Sequence, residues 1–169
     1  VHGPFKSYFD NGKLSEEGYF NYAMRDSIFK TFHENGNPEL IGFYVNGFKD
    51  SLWISYYANA QKKSEGSYEM DTRINQWKSW YEDGQLKDVV EYEDGNAVLK
   101  EFYDEKGKAS IVDGSGSFIR YHSNGKKAES GQYLNGQQQG KWQKWNSDGK
   151  LVEESHFEKG MQVGEWILF

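Results

Sequence analysis

Trp77-Lys78-Ser79-Trp80-Tyr81-Glu82-Asp83-Gly84 is the stretch that decides the fold. Rings alternating with polar residues suit a pleated surface, and Asp83-Gly84 closes the run with a turn in which glycine takes the left-handed conformation. Outward from here the same arrangement returns. The opening ring recurs as Phe5, Phe29, Trp53, Trp77, Phe118, Trp142 and Trp166, with successive gaps of 24, 24, 24, 41, 24 and 24 residues. Seven residues after the ring stands Gly12, Gly36, Gly84, Gly125 or Gly149, and Ala60 takes that place in the third unit. Six residues further comes a second glycine in four units: Gly18, Gly42, Gly66 and Gly131. Two residues past that point stands a second ring, as in Tyr44, Tyr68 and Tyr133. Phe20, Tyr92 and Phe157 continue this series.

Each offset has a mechanical reading. Lys126-Lys127-Ala128-Glu129-Ser130-Gly131-Gln132-Tyr133 alternates as a return strand does, and Asn46-Gly47, Asn135-Gly136 or Lys159-Gly160 begins the next turn. Each unit is one hairpin and one connection. No window shows the i, i+3, i+4, i+7 apolar spacing of a helix. The expected fold is all-β: residues 1–169 form one array of about seven hairpin repeats in an elongated, twisted, single-layer antiparallel meander. At a strand spacing of ~4.8 Å such an array would be a rod about 65–70 Å long. Two departures stand out. Ser27, Ser51 and Asn75 replace the glycines Gly140 and Gly164 that precede Trp, so those connections should be less tightly wound. In the fifth unit, at about residues 100–117, Lys100 falls where a ring belongs, and 11 residues rather than 17 separate Gly107 from the next ring, Phe118. A bulge, kink or slackened junction is expected around Ala109–Ser117, which contains Gly114-Ser115-Gly116.

Tyr133-Leu134-Asn135-Gly136-Gln137-Gln138-Gln139-Gly140-Lys141-Trp142 and Phe157-Glu158-Lys159-Gly160-Met161-Gln162-Val163-Gly164-Glu165-Trp166 carry a resemblance. Their aromatic, Asn-Gly and Gly-x-Trp elements resemble the variant MORN repeat of bacterial proteins, including antitoxins of the YwqK type. The resemblance implies a hairpin array and, for the antitoxin-like members, a protein partner. It is specific for fold and weakly specific for function.

The first and fourth positions of the opening strand are both aromatic in most units, as in Trp53/Tyr56, Trp77/Trp80, Phe118/Tyr121 and Trp142/Trp145. A spacing of three puts them on opposite faces of a strand, so ring ladders are expected on both sides of the sheet. The rings Tyr56, Trp80, Tyr121 and Trp145 are the candidate binding face. Trp166-Ile167-Leu168-Phe169 is expected to cap the last hairpin, with strand addition at an open edge as the alternative. Charges on the return strands (Glu16, Glu17, Glu65, Asp88, Glu91, Glu129, Glu153, Glu154) read as a solvated face with cross-strand ion pairs. The alternative is an acidic face for a basic partner.

Aromatics make up 17% of the chain, so disorder is excluded by the surface they can bury. A net charge of −6 without a basic stripe argues against nucleic acid and anionic membranes. The absence of cysteine removes thiolate metal sites and thiol nucleophiles. His2, His33, His122 and His156 follow no ligand spacing, and Gly114-Ser115-Gly116 is no nucleophile elbow. Catalytic residues, metal and cofactor are therefore not assigned. The expected function is a non-enzymatic protein-binding scaffold, with a toxin, basic in charge, as the partner that the resemblance implies. The alternatives are a cell-envelope or secreted repeat protein, or a carbohydrate-binding module in which Trp77, Trp80, Trp142 and Trp145 stack on sugars. Bacterial cytoplasm is favoured, or the envelope if a signal preceded Val1. Sequence does not set the oligomeric state.

Overall fold

The computed structural model describes residues 2–169, and among these it contains fifteen antiparallel strands and no helix. Strand order follows chain order without a crossover. Two compact units divide the strands. One runs to Lys87 and takes in Glu91–Ala97; the other comprises Asp88–Val90 and Val98–Phe169. The first holds β1 (Gly3–Tyr8), β2 (Leu14–Asn21), β3 (Met24–Phe32), β4 (Pro38–Val45), β5 (Phe48–Tyr56), β6 (Lys62–Glu69), β7 (Thr72–Trp80) and the two ends of β8 (Leu86–Glu93). The second holds β9 (Asn96–Tyr103) from Val98 onward, β10 (Ala109–Val112), β11 (Ser115–Tyr121), β12 (Lys127–Leu134), β13 (Gln137–Trp145), β14 (Leu151–Glu158) and β15 (Met161–Leu168).

Turn chemistry sets these boundaries. After β3, the Gly36 amide donates to the His33 carbonyl at 2.8 Å, and Gly36 sits at φ 95°. After β5 the same loop forms with Ala60 at φ 66°, a conformation that costs an L-residue about 1–2 kcal/mol. Between hairpins, Asn46-Gly47 takes φ 51° and 90°, the primed turn whose twist matches the strands it joins.

Each opening strand carries a second irregularity just before its ring. Pairing between β4 and β5 passes from Ile41↔Ile54 to Phe43↔Asp50, so β5 contributes two extra residues there. The left-handed residue of this bulge is Ser51, at φ 59°. Ser27 and Asn75 occupy the same conformation at φ 63° and 57°, beside Gly140 and Gly164 at 67° and 72°. The expected looser winding is therefore wrong. Sheet pairing fixes the bulge, and small polar side chains tolerate it. The Ser51 hydroxyl donates to the Asp50 carboxylate at 2.8 Å, and Ser27 to Asp26 at 3.1 Å.

The bulge aims the ring backwards over the preceding hairpin. A β-carbon on Gly42 would overlap the Trp53 ring; the same holds for Gly66 with Trp77 and Gly131 with Trp142. At Gly42, Gly66 and Gly131 the second glycine is thus a seat for the next unit's ring. Rings on this face then meet edge to face. In the first unit the centroids run Phe29–Tyr44 5.4 Å, Tyr44–Trp53 5.0 Å, Trp53–Tyr68 5.9 Å and Tyr68–Trp77 5.0 Å. In the second, Phe118–Tyr133 is 5.9 Å and Tyr133–Trp142 5.3 Å. Phe29, Tyr44, Trp53, Trp77 and Trp142 are buried in this arrangement.

The shortened unit keeps a ring by a different route. Lys100 is not the core residue; Phe102, two positions on and hence on the same strand face, is buried and lies 4.8 Å from Phe118. Its cross-strand partner Ile111 is fully buried in β10, whose pairing shifts register between Ala109 and Ile111. The junction is bulged but not slack. The Gly114 amide donates to the Lys100 carbonyl at 2.8 Å, and the Gly136 amide to the Gly114 carbonyl at 2.7 Å.

Candidate functional site

The two faces of the sheet differ in kind. One is occupied by the protein's own ladder, and the other is where the remaining apolar side chains reach solvent. In the first unit Phe43 pairs across strands with Ile28, and Ile41 with Ile54, on the face away from Trp53. Leu52 joins them, and together these side chains line an open depression of about 300 Å³. Ile28 and Leu52 are each 52% exposed and Phe43 39%. The neighbouring pair Val45↔Phe48 extends the same face and is also exposed. Most equivalent positions in other repeats are polar or charged: Ser67, Gln76 and Lys78 follow in the first unit, and Gln132, Lys141 and Gln143 stand in the second, with Tyr19, Val89, Ile119 and Ile167 as apolar exceptions. Charged rows bracket the patch: Lys6 and Lys30 both pair with Glu17 on one side, and Glu65 faces Lys78 across strands on the other. Exposed apolar side chains grouped on one polar face are a recognised mark of an interaction surface.

Tyr56 and Trp80 lie on this same face of the first unit, in β5 and β7. Tyr121 and Trp145 lie on the corresponding face of the second, in β11 and β13. The expected second ladder does not form: none of the four stacks on another ring. Lysines cover two of them instead, with Lys62 Nζ 5.1 Å above Trp80 and Lys127 Nζ 4.9 Å above Trp145. Backbone at these positions anchors the turns: the Tyr56 carbonyl accepts from His33 Nε2 at 3.0 Å, and the Trp145 carbonyl from His122 Nε2 at 2.8 Å. Of the rings considered for sugar stacking, Trp77 and Trp142 are buried in the ladder and present no free face.

Sequence reasoning missed Ile28, Phe43 and Leu52. The signal was present as three apolar residues at positions that are mostly polar elsewhere, but it emerges only once the faces are assigned.

The carboxylates counted on the return strands are largely engaged. Arg25 reaches Glu16 at 2.6 Å, Lys62 Glu65 at 2.6 Å, Arg120 Glu129 at 3.0 Å, Lys141 Glu154 at 2.7 Å and Lys144 Glu153 at 2.9 Å. Lys141 holds the Glu154 carboxyl below its ordinary range; partial burial opposes the shift and the Gln143 amide adds to it. Such exposed pairs contribute under about 1 kcal/mol each and leave little of a free acidic face. Among the described residues no group of three or more His, Asp or Glu is placed to hold a metal ion.

Hairpin geometry, ring seats and primed turns together define a MORN-type repeat array. The chain matches the family described as MORN repeat variant over residues 1–22, 25–46, 74–94, 115–135 and 138–159, more than half of its length, and belongs to that family. This is a non-catalytic repeat family whose members commonly mediate protein or membrane binding. The match leaves out the third hairpin, at residues 47–73, and the shortened unit, at 95–114. The third has Ala60 in place of glycine yet folds as its neighbours do. A search among curated proteins gives no match.

Proposed function

We propose that the chain is a protein-binding repeat scaffold whose contact surface is the face away from the ring ladder, centred on Ile28, Phe43 and Leu52. The observation that carries this reading is the contrast between faces. The ladder face buries its rings against its own glycines, whereas the opposite face leaves large apolar side chains in water where most other repeats place polar ones. Tyr56, two residues past Ile54 on the same strand, extends the patch along β5. A surface of this kind is an apolar centre with a polar rim, the usual anatomy of a recognition site. Resemblance to antitoxin-type repeat proteins makes a toxin the partner, neutralised by occlusion. Because most return-strand carboxylates are internally paired, apolar contact rather than charge attraction to a basic toxin carries the affinity.

Affinity capture on intact chain and on the Ile28→Lys/Leu52→Lys variant, read by mass spectrometry, tests the reading. A partner retained by the first and lost by the second, with unchanged melting of the variant, is expected. Equal retention by both overturns the surface. The captured protein is then expressed alone and with the chain. Growth arrest relieved by the chain supports the antitoxin reading, and a harmless partner refutes it while leaving the scaffold reading in place.

A further inference from the structure

The ladder face of the first unit carries a feature that the contact surface above does not use. Arg25, Lys49 and Arg73 recur at 24-residue spacing, each four residues before an opening ring. Each stands directly across strands from a ring, in the pairs Phe20↔Arg25, Tyr44↔Lys49 and Tyr68↔Arg73. Each also lies over the next ring: Arg25 Cζ is 4.6 Å from the Phe29 centroid, Lys49 Nζ 4.7 Å from Trp53 and Arg73 Cζ 4.4 Å from Trp77. Arg73 further donates to the Tyr92 hydroxyl at 2.8 Å. Glu16 neutralises Arg25, but neither Lys49 nor Arg73 is in an ion pair among the described residues. In the second unit the corresponding residues Gln138 and Gln162, opposite Tyr133 and Phe157, are amides. The stripe belongs to one unit and is linear, with one cation on every second strand.

We infer that this stripe binds an acidic peptide in the polyproline II conformation, with a carboxylate at every third residue. The match is geometric. Alternate strands place the cations about 9.6 Å apart. A polyproline II chain has three residues per turn and rises about 3.1 Å per residue, so residues i, i+3 and i+6 share one face at about 9.3 Å intervals. Carboxylates at this spacing therefore meet Lys49 and Arg73 directly, and a third meets Arg25 in competition with Glu16, which holds it at 2.6 Å. The rings beneath fix the cations in place and lower the ordering cost of binding. An anionic lipid surface fits less well. Such surfaces are recognised by clusters of about 4–8 basic residues, and a single file of three cations on a chain of net charge −6 presents a line rather than a plane.

The probe is a labelled peptide of sequence Glu-Pro-Pro-Glu-Pro-Pro-Glu, followed by fluorescence anisotropy at low and moderate salt. Its control has the same composition with the three glutamates contiguous. The periodic peptide should bind the intact chain, weaken with salt, and lose about tenfold or more of its affinity to the Lys49→Gln/Arg73→Gln variant. Lys49→Arg, which keeps the charge, should bind as the unsubstituted chain does and controls for loss of folding. Phe43→Ser, on the other face, should leave peptide affinity unchanged, so failure here is separable from failure of the contact surface. Equal binding of the contiguous peptide, full binding to the double variant, or binding only to phosphatidylserine vesicles would each overturn the inference.

Discussion

Gly66 shows what a single absent carbon does in this protein. Trp77 lies flat where a β-carbon on that residue would stand, and Gly42 and Gly131 receive Trp53 and Trp142 in the same way. In two units the seat is filled. Ser155 takes the glycine place in β14, and Trp166 is 56% exposed and stacks on no ring. Val90 takes it in β8, and the next unit carries Lys100 in place of a ring. The indole nitrogens complete the seats. Trp53 Nε1 donates to the Phe43 and Asp50 carbonyls at 3.2 and 3.1 Å, and Trp77 Nε1 to the Ser67 carbonyl at 3.2 Å. Trp142 Nε1 is buried without a partner among the described residues. At Ala60 the balance is reversed: its left-handed φ of 66° is strained and the corresponding turns of the other units use glycine. Ala60→Gly should therefore raise stability, by about 1 kcal/mol, because relief of the left-handed cost outweighs the added unfolded-state entropy. Urea denaturation checks it, and a lower midpoint would show the turn to be unstrained.

At the scale of the element, most opening strands have one structural ring and one surface ring. Trp53 is 2% exposed and touches rings on both neighbouring strands, whereas Trp80 is half-buried under Lys62. Trp53→Ala should cost about 3–5 kcal/mol, as large aromatic truncations in a packed core do, and Trp80→Ala about 1 kcal/mol or less. Similar losses from both, measured by chemical denaturation, would mean that the two faces share the packing. Tyr133, on the return strand β12, gives a pH signature. Burial, reinforced by Glu129, raises its phenol above the ordinary 10.0. The folded chain thus holds that proton more tightly than the unfolded chain does. The resulting stability is complete below pH 10.0 and is lost as pH rises through the folded-state value. Tyr133→Phe should flatten the decline in urea midpoint above that pH; an unaltered slope would assign the alkaline loss to other groups.

Over the whole molecule, the spacing of rings and turn residues was enough to read the hairpins, their order and the absence of helix, because period and turn chemistry are local properties. Seats and faces were harder. The constant step of eleven residues from Gly42 to Trp53 and from Gly66 to Trp77 is visible in the sequence, but its cause is a contact between neighbouring hairpins. Phe102 takes the place of the missing ring, but a count by 24 from Trp77 lands on Glu101, so the substitution is hidden from that count. Ser27 and Ser51 resemble loosened turns in sequence, yet sheet pairing imposes the bulge on them. The exposed patch became legible only when Ile28, Phe43 and Leu52 were found on one side. Tyr56, Trp80, Tyr121 and Trp145, chosen from spacing alone, share the outer face within their own units without contacting each other.

Gly42 and Phe43 are adjacent in β4 and look in opposite directions, one into the ladder and one to solvent. Comparing Gly42→Ala with Phe43→Ser separates folding from recognition in two single substitutions. Thermal melting and partner capture should give opposite results: Gly42→Ala lowers stability by about 2–3 kcal/mol through overlap with Trp53, and Phe43→Ser melts nearly as the unsubstituted chain does but no longer retains the partner. A stable Gly42→Ala protein, or a Phe43→Ser protein that captures its partner undiminished, would contradict the division of the sheet into a self-packed face and a binding face.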